Sequence, residues 1–218
     1  DGDLAAAFAA ADLTIALEAA GGRHSGVPME TRGALGVFDA ATGVLTMYGA
    51  AKVPHYNRDS IARMLGLEKD RVQLSEGHVG GGFGMRGELY PEDVLVCAAA
   101  HRLGRPVKWI EDRKEHLLAA NHSRDQVHRM RAAVRKDGFI LGPEDEFFTD
   151  QGAYVRTHGG TVSDLAAALL PGPYVVPAYR VRGHIRLTNK TPAGTYRAPG
   201  RYETTFARER LVDAIAHR

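Results

Sequence analysis

The chain has 218 residues, 44% apolar and 25% charged, the composition of an ordinary soluble protein able to build a core. A formal charge of +2 makes no case for nucleic acid, since arginine and lysine are scattered apart from short clusters such as Arg129-Met130-Arg131. No apolar run of about 18 residues is present to span a membrane.

The Ala-rich start carries Asp1, Asp3 and Asp12 where a secretory leader would be basic, so it is not read as a signal peptide. A single cysteine, Cys97, excludes an internal disulfide and suits a reducing compartment, which makes the cytoplasm the expected location. The sequence begins without Met and stops at Arg218 inside an amphipathic pattern. One folding unit over residues 1–218, truncated at both ends, is expected.

In chain order, Asp3 to Ala11 reads as a short helix and Leu13 to Ala19 as an alternating strand, punctuated by Gly21-Gly22. An irregular, Pro-containing stretch, His24 to Arg32, precedes two strands, Leu35 to Asp39 and Val44 to Tyr48, joined in a hairpin by Ala40 to Gly43. Asn57 to Leu65 has helical spacing, with Asn57 as the candidate cap and Gly66 as the stop. Val72 to Leu74 is a strand that leads into the Gly-rich run Gly80 to Gly87.

Tyr90 to Leu103 carries the clearest helical signals: Pro91 at the first turn, Glu92 and Asp93 beside it, and Gly104 past the end. Then come a strand (Val107 to Ile110), a short helix (Asp112 to Ala120) and a second hairpin, Gln126 to Val134 with Phe139 to Phe148. A helix at Val162 to Leu170, a strand at Val181 to Thr188 and a helix from Glu203 complete the pattern. The fold class expected is α+β, a mixed sheet with antiparallel hairpins and packed helices.

Two motifs stand out. Val79-Gly80-Gly81-Gly82-Phe83-Gly84 permits positive φ, close backbone approach and an anion nest of successive N–H groups. Thr195-Tyr196-Arg197-Ala198-Pro199-Gly200-Arg201 sets two planar guanidinium forks around a Pro-Gly turn. The first run also contains Gly82-x-Gly84-x-x-Gly87, a formal dinucleotide fingerprint, with Glu111-Asp112 at a plausible distance for a ribose-binding acid. That rival, an NAD- or FAD-binding oxidoreductase domain, has against it the five residues Ser75 to Val79 between strand and glycines.

The histidines show no metal-ligand spacing, although His24 and His55 fall in irregular segments that suit a site. Cys97 reads as a small buried hydrophobe, and no serine has a nucleophile-elbow context.

The glycine run, Gly104-Arg105-Pro106-Val107 with Asp112-Arg113 and Glu115, Asp150-Gln151-Gly152-Ala153-Tyr154, and Tyr196 to Arg201, taken in this order, resemble large subunits of the xanthine dehydrogenase, aldehyde oxidase and carbon monoxide dehydrogenase family. The form II, carbon-monoxide-dehydrogenase-like group is the nearest in pattern. His24-x-x-x-Pro28-Met29-Glu30-x-Arg32 is similar to the segment that opens their cofactor domain. The resemblance implies the first half of a molybdenum-cofactor-binding domain.

It further implies a molybdenum–pterin cofactor in its cytosine dinucleotide form, iron–sulfur and FAD centres on small and medium partner subunits, and a dimer of heterotrimers. The reaction implied is oxidation of an aldehyde or N-heterocycle with oxygen taken from water. Carried over by residue, Gly81, Gly82, Phe83 and Gly84 hold the pterin and the metal's oxo ligand through N–H groups, and Arg197 sits beside the metal centre as the catalytic arginine; no protein side chain ligates the metal. Lys52 stands where relatives commonly have a glutamine that donates to the oxo ligand. Gly87 stands where purine-oxidising members have glutamate, with Glu88 one place late, which argues against xanthine. Ala198 replaces the copper-binding cysteine of carbon monoxide dehydrogenases, which argues against that centre. The general-base glutamate of the family lies beyond Arg218, so turnover by this segment alone is not expected.

Overall fold

The computed structural model describes residues 2–49 and 52–218. Its elements are α1 (Leu4–Ala9), β1 (Leu13–His24), β2 (Gly33–Asp39), β3 (Val44–Gly49), α2 (Pro54–Leu65), β4 (Val72–Ser75), α3 (Pro91–Leu103), β5 (Val107–Ile110), α4 (Arg113–Ala119), β6 (Ser123–Val134), β7 (Ile140–Gly152), α5 (Gly159–Ala168), β8 (Arg180–Leu187) and α6 (Arg201–Ala216). The α+β class with mixed sheets is as expected. Within residues 1–218 the chain gathers into two compact units. One comprises Asp1–His24, His122–Gly194 and Ala198–Arg218; the other comprises Ser25–Asn121 with Thr195–Arg197.

The first unit is a four-stranded sheet, β1-β6-β7-β8, antiparallel except for the parallel β7–β8 pair. Alternation divides its faces. Inward, Leu17, Ala19, Met130, Ala132 and Val134 pack against Ala207 and Leu211 of α6. Outward, the register aligns Glu18, Arg129, Glu146 and Arg182 across all four strands, a row of alternating charge. Such exposed pairs contribute under about 1 kcal/mol each, so the row fixes register more than it stabilises.

Contrary to the punctuation read at Gly21-Gly22, β1 continues to His24, because β6 supplies partners as far as Ser123. Phe147 owes its place to Gly183 on the neighbouring strand, where a Cβ would stand 2.6 Å from the ring.

Beside the β7 end, Asp150 accepts from Lys190 at 2.7 Å, Thr188 Oγ1 at 2.7 Å and the Gly152 N–H at 2.9 Å. Burial pushes its pKa up, but those donors and Arg23 outweigh it and bring the value down to about 2. A depressed carboxylate pKa contributes stability above its unfolded value, and the contribution vanishes as pH falls through the folded value. Asp150→Asn is therefore expected to lower unfolding free energy by about 1–2 kcal/mol at neutral pH, after allowance for solvent screening. The gap between variant and parent closes between about pH 4 and pH 2. Denaturant midpoints taken across that range test it; a gap independent of pH would be incompatible with the ion cluster.

The second unit is a smaller sheet ordered β4-β3-β2-β5. The β2–β3 hairpin is as expected, β5 joins β2 antiparallel, and β4 joins β3 in parallel. Helix α3 lies across this sheet, and Ala34, Leu45, Met47, Ile61, Val72, Val96, Cys97 and Ala100 form the core. Gly36 allows the close approach of the helix, since a Cβ there would lie 2.9 Å from the Val96 carbonyl. Cys97 is fully buried, and burial pushes its thiol up to about 12, so it is an inert packing group.

Pro91 opens α3 and left-handed Gly104 (φ 62) closes it. Asn57 is not the cap of α2: the helix starts earlier, with Val53 at the cap position and Pro54 in the first turn, and Asn57 is buried within it. Proline tolerates the first helical position because its missing N–H would have no helical partner there.

Candidate functional site

In the second unit the glycine run forms a loop between β4 and α3, interrupted by a short 3₁₀ turn at Met85–Gly87. Gly81 (φ 104), Phe83 (φ 51) and Gly84 (φ 103) all adopt the left-handed region. The carbonyls from Gly82 to Gly84 are engaged. Gly82 accepts from the Met85 N–H at 2.9 Å, Phe83 from the Arg197 N–H at 2.7 Å, and Gly84 from the Gly87 N–H at 3.1 Å and Thr195 Oγ1 at 2.7 Å. By contrast, the N–H groups of Gly81, Gly82, Phe83 and Gly84 meet no acceptor among the described residues.

Successive N–H groups left open in a loop of this kind have the donor pattern of an anion nest.

Both ends of the loop are tied down. At its start, Glu30 receives the Gly80 N–H on Oε2 at 2.8 Å and donates its own N–H to the Gly80 carbonyl at 3.1 Å. Buried Arg86 bridges back, donating to the Glu30 and Thr31 carbonyls at 2.7 and 2.6 Å and pairing with the Glu30 carboxylate at 3.1 Å. At its end, Thr195–Arg197 lies alongside, and the Tyr196 ring and Met85 close on Gly26, where a Cβ would stand 2.4 Å from the Met85 sulfur.

The sequence-derived candidates are therefore placed as follows. Gly81, Gly82, Phe83, Gly84 and Arg197 come together, the last through its backbone, with Phe83 half exposed and the Arg197 side chain exposed. Lys52 is exposed and lays its stem over Gly87, where a Cβ would meet Lys52 Cδ at 3.3 Å. Gly87 thus admits a long cationic side chain at this edge of the loop. His55 is exposed at the start of α2 and has no part in this arrangement; His24 belongs to the first unit. Glu30, Arg86, Asn121 and Tyr90 were given no site role from sequence; Glu30 lay inside a quoted motif, and the others carried no signal that separates them from packing residues.

The dinucleotide rival is excluded by geometry. Glu111, its ribose acid, is 2% exposed and fully committed. It receives Arg32 Nε at 2.9 Å, Arg32 Nη2 at 2.5 Å, the Arg32 N–H at 3.0 Å and His116 Nδ1 at 2.7 Å. Burial favours its neutral form, yet these donors together hold its pKa below the ordinary carboxylate value. Burial also lowers the pKa of His116, which stays neutral and carries its proton on Nδ1 toward the carboxylate. Arg32 is completed by Glu92 at 3.1 Å and by the Tyr90 ring 3.9 Å below it. The sheet order, with β5 antiparallel to β2, is likewise not that of a doubly wound nucleotide fold.

Among the described residues no cluster of histidine, cysteine, aspartate and glutamate gathers that could hold a metal ion. Nor, among the described residues, is any helix long and apolar enough to cross a membrane.

Residues 1–218 match the profile of the molybdopterin cofactor-binding domain. Among curated relatives, the 6-hydroxypseudooxynicotine dehydrogenase complex subunit gamma of Paenarthrobacter nicotinovorans is 47% identical over 97% of this chain and 27% of its own length. The carbon monoxide dehydrogenase large chain of Hydrogenophaga pseudoflava is 33% identical over 98% of this chain and 27% of its own. Among solved structures, quinoline 2-oxidoreductase from Pseudomonas putida 86 superimposes with a TM-score of 0.93 at 36% identity, covering 99% of this chain and 28% of that one. The chain thus spans roughly a quarter of the length of the relatives it matches.

Proposed function

The chain belongs to the molybdopterin cofactor-binding domain family, and from that premise we propose that the nest Gly81–Gly84 is the part of the site that grips the cofactor. The observation that carries this is the run of N–H groups that meet no acceptor among the described residues, in a loop with three left-handed residues whose Gly82, Phe83 and Gly84 carbonyls are engaged. Four such donors suit an oxygen-rich, anionic group, and being fixed in advance they stabilise charge without reorganising. Phe83, half exposed in the middle of the nest, offers a face to a flat ring. Arg197, anchored by its N–H on Phe83, carries a planar fork to the metal side of the site. Lys52 offers a point charge from the opposite edge over Gly87.

When bound, the molybdenum–pterin group supplies two-electron oxidation of the substrate, with oxygen drawn from water. The cytosine dinucleotide form of the pterin belongs to this proposal. The parent large subunit is read as an oxidoreductase for N-heterocycles before aldehydes, since relatives named for nicotine and quinoline chemistry stand at 33% and 36% identity. It is read as cytoplasmic and as working in a dimer of heterotrimers, with an iron–sulfur small subunit and an FAD medium subunit taking the electrons. Several relatives are themselves named as subunits or large chains.

The test is molybdenum and pterin content of the full-length parent, purified natively from a host that makes the cofactor. Near-stoichiometric metal and pterin, with Arg197→Ala losing activity at least about a hundredfold as expected for one lost transition-state donor, would support the reading. A well-folded parent containing neither would overturn it.

A further inference from the structure

Residues 195–197 belong to the second unit although the chain on either side of them belongs to the first. They lie in no strand, so no ladder of backbone hydrogen bonds holds them in place. Their polar groups are met instead by individual side chains. Glu88, 2% exposed, accepts the Thr195 N–H on Oε1 at 2.9 Å. Asn121, fully buried, donates from Nδ2 to the Thr195 carbonyl at 3.0 Å. The Tyr90 hydroxyl donates to Asn121 Oδ1 and accepts the Asn121 N–H at 3.3 Å, which fixes the Asn121 amide. Thr195 in turn gives its hydroxyl to the Gly84 carbonyl, and two residues later Arg197 gives its N–H to the Phe83 carbonyl.

We propose that Glu88 is a positioning residue for the cofactor loop: its buried carboxylate clasps Thr195, and through Thr195 and Arg197 it sets which way the peptide after Phe83 faces. The physical reasoning is as follows. A left-handed peptide can flip, exchanging the direction of its N–H and its carbonyl, unless both are committed. The peptide after Gly84 is held on both sides, its carbonyl by Gly87 and Thr195 and its N–H by the Gly82 carbonyl, whereas the peptide after Phe83 is held among the described residues through its carbonyl alone, by the Arg197 N–H. Thr195, which leads into Arg197, is held by a carboxylate at its N–H and a carboxamide at its carbonyl. A buried carboxylate that loses its donors is costly, as is a buried N–H that loses its acceptor, so the clasp favours one arrangement strongly. Glu88 therefore does not face substrate, and its place one position after Gly87 reflects a different task from that of a purine-binding glutamate.

This inference rests on the cofactor reading only for its consequence; the clasp itself is read from amide exchange. In the full-length parent complex, Glu88→Ala is expected to speed hydrogen exchange of the Thr195 and Arg197 amides about tenfold or more, in keeping with the loss of a charge-assisted bond. The core amides of β2 should keep parental rates. Molybdenum and pterin content should fall with it, while Glu88→Gln, whose amide oxygen still accepts, should keep most of both. Thr195→Val, which retains the fold and removes only the hydroxyl, should lower cofactor content and leave the Thr195 amide slow; it serves where Glu88→Ala does not fold.

Parental exchange at residues 195–197 in Glu88→Ala, equal cofactor loss in Glu88→Gln and Glu88→Ala, or full cofactor content in Thr195→Val would each overturn the proposal. A parent without molybdenum would remove the cofactor reading, and the exchange rates would still decide the clasp.

Discussion

Gly84→Ala is expected to yield a parent enzyme that folds with a loss of about 1–3 kcal/mol and retains little or no cofactor. Gly84 sits at φ 103, and an added Cβ would lie 3.1 Å and 3.2 Å from the Thr195 carbonyl oxygen and carbon. Those are backbone atoms held by Asn121 and Glu88, so they cannot yield as a flexible side-chain tip would. Relief comes from the loop itself, which disperses the N–H array.

Gly82→Ala is the informative companion. A Cβ at Gly82 meets nothing nearer than Arg86 Cβ at 3.7 Å, so the protein alone accommodates it, with stability within about 0.5 kcal/mol of the parent. Any loss of molybdenum in Gly82→Ala then reports a ligand that comes close to the backbone there. Metal analysis and thermal melts of both variants decide the matter. If both keep full metal content, the nest is not the cofactor's seat.

Glu111→Ala is expected to have the largest effect on stability, about 3–5 kcal/mol, because it leaves a buried guanidinium without its principal partner. Arg32 would keep Glu92 and the Tyr90 and Trp109 rings but no buried carboxylate, and His116 would lose the acceptor for Nδ1. Such a loss is a large fraction of the stability of a typical domain, so soluble yield should drop as well. The effect reaches the site through Arg32, which follows Glu30 and Thr31, the residues that hold Gly80 and Arg86. Denaturant unfolding of Glu111→Ala beside Glu111→Gln measures it. A loss below about 1 kcal/mol in Glu111→Ala would mean that the buried network is dispensable.

These two sites illustrate what sequence does and does not reveal. The glycine loop was legible because positive φ restricts residue choice, and successive glycines advertise it. The bounds of α3 were legible for a similar reason, with Pro91 and Gly104 at positions where their backbones are the easy choice. The hairpins showed through alternation. The extension of β1 past Gly21-Gly22 was not visible, because its cause is a partner strand more than a hundred residues away in sequence.

The roles of Glu30, Glu88, Asn121 and Glu111 were hidden for the same reason. Each is an ordinary polar residue locally, and its meaning comes from what folding brings beside it. Glu111 looked like a ribose acid from its spacing alone; the buried arginine and histidine that claim it sit at Arg32 and His116. The division into two units was also illegible, since neither linker composition nor a repeat marks a boundary that the chain crosses several times.

That crossing has a consequence for how the protein is made. Residues 25–121 leave the ribosome well before Thr195, whose hydroxyl bonds Gly84 from 111 positions downstream. A nascent chain therefore holds a glycine loop whose Phe83 carbonyl still awaits Arg197 and whose Gly84 carbonyl has the Gly87 N–H but not yet the Thr195 hydroxyl. On the proposed reading the loop can grip the cofactor fully only once Thr195 to Arg197 have been made, and a chain stalled before Tyr196 would present a loop without those bonds.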